Sequence, residues 1–128
     1  MNYKHIMIDM DYCADPLWVS EDGCCFANGD LCEFEKVLPA GTMHSLAMYQ
    51  DLWEKTHWTK YLGPSGEYRS YPGEDLAYGF IREMPPVIAA AVKESLPDHH
   101  IYYRCPETRA PVEVGTVSKN AIRATMVG

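Results

Sequence analysis

The stretch Ser20–Glu35, SEDGCCFANGDLCEFE, holds three cysteines and five carboxylates in sixteen positions, with no Lys, Arg or His. Thiolates and carboxylates bind metals, and a thiolate is a nucleophile. Spacing decides between these chemistries. Structural zinc uses two Cys separated by two to four residues, then a second pair, so that all four sulfurs reach one tetrahedral ion. Cys24 and Cys25 are adjacent and Cys32 stands seven positions further on. His99, His100 and Cys105 offer further ligands without completing a spacing motif. A nucleophilic thiol needs a base within hydrogen-bond reach, and the sequence places none beside it. The expectation is free, partly buried thiols, with no metal and no cofactor. Five irregularly spaced cysteines suit a reducing compartment, the cytoplasm.

Asp9 and Asp11 are the second chemical pair. They end the apolar run in HIMIDMDYCAD, residues 5–15. This resembles the first motif of haloacid-dehalogenase-type phosphatases. The resemblance implies that Asp9 attacks phosphorus and Asp11 moves the proton, with magnesium assisting. It covers about ten residues. Tyr12 replaces the Gly many members carry there, and no companion Ser/Thr, Lys or late paired-Asp motif follows. The alternative for this pair is a strand with a polar outer face. The histidines His5, His44 and His57 have no motif spacing. Gly63-Pro64-Ser65-Gly66 lacks the Lys and the helix start of a phosphate loop.

Charge is more informative than any motif. The 128 residues carry a net charge of −7. Residues 1–35 hold eight acids (Asp9, Asp11, Asp15, Glu21, Asp22, Asp30, Glu33, Glu35) against Lys4, and the remainder holds ten acids and ten bases. The whole surplus thus sits in the first quarter of the chain. Such a field repels nucleic acid and anionic membranes and attracts basic partners. A solvated face explains the charge but not its concentration. Tyr12, Trp18 and Phe26 are interleaved as apolar anchors of the kind interface centres use. The expected docking set is Asp11, Asp15, Trp18, Glu21, Asp22, Asp30, Glu33 and Glu35.

The elements that position these residues are legible in outline. Residues 5–12 alternate, with Ile6, Ile8, Met10 and Tyr12 facing inward and Met7, Asp9 and Asp11 outward, which predicts a strand with one buried face. Leu17–Val19 forms a second short strand, and Cys24–Phe26 a brief hairpin arm between turns at Ser20–Gly23 and Asn28–Asp30. A helix runs from Thr42, as its cap, to Leu62. Leu46, Tyr49, Leu52, Trp53, Thr56 and His57 lie on its inner face; Asp51, Glu54 and Lys55 lie outside, with Trp58 near Asp51. Residues 63–73 form a Gly/Pro/Tyr-rich loop in which Arg69, near Tyr68, Tyr71 and Tyr78, could shape a binding surface. A short helix over 74–84 breaks at Pro85, and a new one begins at Pro86 and turns Ile88, Ala89, Val92 and Leu96 inward. His100–Arg104 and Pro111–Val117 are strands, and the last ten residues fray. Length and element order predict one domain, 1–128: an α+β two-layer sandwich with helices on one face of a small sheet. No apolar run reaches the roughly 20 residues a membrane helix needs.

One long-range pattern resembles small bacterial immunity proteins of polymorphic toxin and contact-dependent growth inhibition systems. It spans residues 5–104. Its markers are the opening strand, Asp15-Pro16-Leu17-Trp18, Asp30-Leu31, Leu38-Pro39, an amphipathic helix bearing Tyr49 and Trp53, an apolar helix ending Leu96-Pro97-Asp98, and the strand Ile101-Tyr102-Tyr103. The resemblance implies a non-enzymatic protein that binds one cognate toxin domain. Many such toxins are nucleases with basic clefts. The runners-up are a small magnesium-dependent phosphatase using Asp9 and Asp11, and an adaptor or ligand-binding domain.

Overall fold

The computed structural model describes residues 3–11, 13–57 and 73–115, apart from the side chains of His57 and Glu74. Tyr12, the expected helix end over 58–62, Arg69 and its tyrosine neighbours at 68 and 71, and the expected fraying of the last ten residues lie outside the described residues, as does the facing of His57.

The architecture is α+β. Five strands, β1 (His5–Ile8), β2 (Leu17–Ser20), β3 (Ala27–Asn28), β4 (His100–Arg104) and β5 (Pro111–Glu113), form one mixed sheet in the order β3-β2-β1-β4-β5. β1 pairs antiparallel with β2 (Ile6↔Val19, Ile8↔Leu17) and parallel with β4 (Ile6↔Ile101, Ile8↔Tyr103). Two α-helices, α1 (Ala40–His57) and α2 (Glu74–Ser95), and a short 3-10 turn at Leu31–Phe34 complete the described elements.

Register explains the core. The paired positions Ile6, Ile8, Leu17, Val19 and Ile101 share one sheet face, since side chains alternate along a strand. They pack with Leu46 and Tyr49 of α1, Ile88, Ala89 and Val92 of α2, and Phe34 from a 3-10 turn at Leu31–Phe34. The opposite face is not the polar one expected. Met7 is 1% exposed and lies outside the helix-packed core. Its cross-strand neighbours are Trp18 and Tyr102. Around them His5 stacks on His100 at 4.7 Å and on Tyr102 at 5.9 Å, and Phe26 meets Tyr102 edge-on at 5.8 Å. An aromatic layer thus closes a face that no period-2 pattern of β1 alone reveals.

Several boundaries differ from expectation. β1 ends at Ile8, and Cys13, at φ 58, turns the chain back into β2. Cys24 and Cys25 belong to a turn, and the arm that pairs with β2 is Ala27–Asn28. Thr42 is not a cap, because the Met43 N–H already closes the first helical turn on the Pro39 carbonyl at 3.0 Å. The largest difference is at Pro85 and Pro86, where α2 continues unbroken. Each proline removes one helical N–H donor and costs about 3 kcal/mol in a regular helix interior. Burial on both sides outweighs this: Ile81 and Met84 precede the pair and Ile88, Ala89 and Val92 follow it, all packed on one core. Lys93 folds back past the end of the helix and donates to the Pro97 and His99 carbonyls at 2.9 and 2.7 Å.

Candidate functional site

Two places on this scaffold gather chemistry: the acidic edge beside β3 and a cleft at the carboxyl ends of β1 and β4.

The acidic edge divides by role. Asp22 Oδ1 accepts from the Cys24 and Cys25 N–H groups at 2.8 and 3.3 Å and from the Ser20 hydroxyl at 2.9 Å. These bonds favour the carboxylate, with Cys24 N–H the largest contributor, and hold Asp22 below the usual range. Asp30 caps the 3-10 turn through the Cys32 N–H at 2.9 Å. Asp15 accepts from the Leu31 N–H at 3.1 Å and from the Gln50 amide at 3.3 Å, tying the edge to α1. Trp18 donates its indole N–H to the Asp9 carbonyl at 3.1 Å. These four members of the expected docking set hold the fold locally. Glu21, Glu33 and Glu35 are exposed and form no ion pair among the described residues. The anchors are committed as well, with Phe26 on Tyr102 and Trp18 beside Met7.

Three of the thiols, Cys24, Cys25 and Cys32, sit on this edge. Cys13, Cys24, Cys25 and Cys32 are exposed and free, and Cys105 is free and half-exposed. A hydrogen bond to Asp30, then the charges of Asp30 and Glu35, push the Cys32 thiol up. An acidic field disfavours the thiolate that nucleophilic attack or metal ligation requires. Among the described residues no three His, Cys, Asp or Glu side chains converge on a metal position.

Asp11 stands apart from that edge, in the cleft, with Asp9. The parallel pairing of β1 and β4 brings Asp9 to Arg104, 95 residues away, where Arg104 Nε donates to Asp9 Oδ2 at 2.8 Å. Asp9 Oδ1 accepts from the Met10 N–H at 2.9 Å. Both oxygens of the carboxylate that the phosphatase resemblance names as nucleophile are therefore engaged. Arg104 also donates from Nη1 to the Arg109 carbonyl at 2.6 Å. The cleft has a volume of about 460 Å³, and its polar lining is Asp9, Asp11, Arg82, Arg104, Arg109 and the hydroxyls of Tyr49 and Tyr78. Burial, and secondarily the Asp9 charge, push the Tyr49 phenol well above its ordinary value.

The sequence reading missed Tyr49, Arg82, Arg104 and Arg109 as site residues. Only the β1–β4 pairing and the return of α2 gather them, and neither leaves a local spacing signal. No family model, curated protein or solved structure matches the chain.

Proposed function

We propose that this chain is a protein-binding inhibitor that docks a basic partner through the edge carrying Glu21, Glu33 and Glu35, in the manner of an immunity protein neutralising a nuclease-like toxin domain. The observation that carries the reading is the concentration of the entire −7 surplus in residues 1–35, together with three exposed carboxylates there that have no ion-pair partner among the described residues. Uncompensated like charges repel one another. A cationic surface relieves that repulsion and is drawn in by it. Asp15, Asp22 and Asp30 contribute field while fixing the backbone that presents the three glutamates. The reading places the protein in the cytoplasm, where its five free thiols stay reduced. No described helix is long and apolar enough to cross a membrane.

The test is co-expression with the C-terminal domain encoded by the gene immediately upstream. The reading expects a stable complex and rescue of growth from that domain's toxicity. A domain that is harmless alone, or equally toxic with and without this chain, overturns it.

A further inference from the structure

All three arginines among the described residues, Arg82, Arg104 and Arg109, line one cleft of a chain whose net charge is −7. They arrive from α2, from β4 and from the β4–β5 turn, so no local sequence bias put them together. Their present engagements differ. Arg104 is spent on Asp9 and on the Arg109 carbonyl. Arg82 touches Glu107 at 3.3 Å, but both side chains are more than half exposed, and water screens such a pair strongly. Arg109 has no ion pair among the described residues.

The backbone under Arg109 is unusual. Its φ is 62, a left-handed conformation that favours Gly or Asn. Three hydrogen bonds hold it there: Arg109 N–H to the Cys105 carbonyl and Cys105 N–H to the Ala110 carbonyl, both at 2.9 Å, and the Arg104 guanidinium on the Arg109 carbonyl. A non-Gly residue kept in this region is strained, and such strain concentrates at binding sites. Beside it stands Tyr49, 4% exposed, which lines the same cleft. A phenol O–H and a guanidinium with five N–H donors thus line the same cleft.

We infer that the cleft binds the oxyanion, carboxylate or phosphate, of a small organic molecule, through Arg109, Tyr49 and Arg82. Asp9 does not oppose this, because Arg104 neutralises it at 2.8 Å. The lining sets three guanidinium groups against Asp9 and Asp11, with Glu107 resting on Arg82 through an exposed contact, so Arg109 is the cation that no carboxylate engages among the described residues. The volume of about 460 Å³ exceeds a bare anion and falls in the range of small-molecule sites. Trp53 and Tyr78 supply flat surfaces for the organic part. This inference is independent of the acidic edge.

The experiment is calorimetric titration of the full chain with three probes: inorganic phosphate, adenosine monophosphate and benzoate. At least one binds with a Kd below about 1 mM, roughly −4 kcal/mol. Arg109→Gly suits the left-handed backbone, so the fold is retained, and affinity for the bound probe falls tenfold or more. Tyr49→Phe also weakens it, while Lys36→Ala, an exposed cation away from the cleft, leaves it unchanged. Tighter binding of the nucleotide than of phosphate assigns an organic phosphate; binding of benzoate alone assigns a carboxylate. Absence of binding by all three probes at 10 mM overturns the inference. So does binding that Arg109→Gly leaves intact.

Discussion

Gly23 sits where two demands meet. Its φ is 81, and an added Cβ would lie 2.9 Å from both Cε1 and Nδ1 of the His5 ring. His5 cannot yield freely, because it stacks on His100 and its Nδ1 is 2.9 Å from the Tyr102 hydroxyl. Gly23→Ala therefore incurs the left-handed penalty of about 1–2 kcal/mol and loses or strains one side-chain hydrogen bond worth about 0.5–1.5 kcal/mol. The expected loss is about 2–3 kcal/mol. Gly73 supplies the internal control. Its φ is 85, yet a Cβ there meets nothing within 4 Å, so Gly73→Ala should carry the backbone penalty alone. The two variants should differ by about 1 kcal/mol, which for a chain of this length is roughly 4 °C in Tm. Urea and thermal unfolding of both variants, repeated in a His5→Ala background, read the difference directly. Equal losses for the two glycines refute the reasoning. So does a difference that survives removal of the His5 ring.

If the proposed docking holds, converting Glu21, Glu33 and Glu35 to Lys together should slow association with the proposed basic partner and flatten its salt dependence, with each change altering stability by no more than about 0.5 kcal/mol. Reversing Asp75 and Glu83 on α2 should matter less; stopped-flow mixing at two ionic strengths compares the sets. Asp9→Asn should leave phosphomonoester hydrolysis with magnesium at background while lowering stability by about 1.5–3 kcal/mol through the lost Arg104 contact; a magnesium-dependent activity abolished by the change would promote the phosphatase reading. Burial, then nearby Lys4, lower the His99 pKa from 6.5. The unfolded chain then takes up this proton more readily than the folded one. The stability that His99 contributes is complete above 6.5 and declines as pH falls through that value toward the lower folded pKa. Urea melts between about pH 5 and 7 should show that slope, and His99→Phe should remove it.

The class of fold was readable because each helix and strand declares its own period. Ile88, Ala89 and Val92 turned inward as their spacing predicts, and Asp51 and Lys55 stayed outside, 2.9 Å apart. Pro85 misled because a local rule met a tertiary one, and core burial on both sides carried the helix through. Met7 misled for a similar reason, since its cover comes from Trp18 and Tyr102 on other strands. The charge of residues 1–35 was plain, but not its division into turn-holding aspartates and unengaged glutamates, which depends on which N–H groups lie within hydrogen-bond reach. The cleft was least legible. Asp9 and Arg104 meet only through strand pairing, and sequence spacing carries no trace of a contact across 95 residues.

That same pairing governs how the chain reaches its native state. β1 can form a hairpin with β2 early, since about a dozen residues separate their paired positions. Its other edge waits for β4, at a loop-closure cost of roughly 4 kcal/mol for so long a separation. Helix α2 packs on both strands, so the core cannot settle before that closure. Folding should therefore be paced by a single non-local step, on the millisecond-to-second scale of high-contact-order topologies. In that interval the Ile6-Met7-Ile8 edge is an unpaired apolar strand, open to intermolecular pairing. The acidic residues flanking it on the N-terminal hairpin carry like charge on every copy. Their mutual repulsion should oppose self-association of the nascent sheet, a contribution that needs no partner.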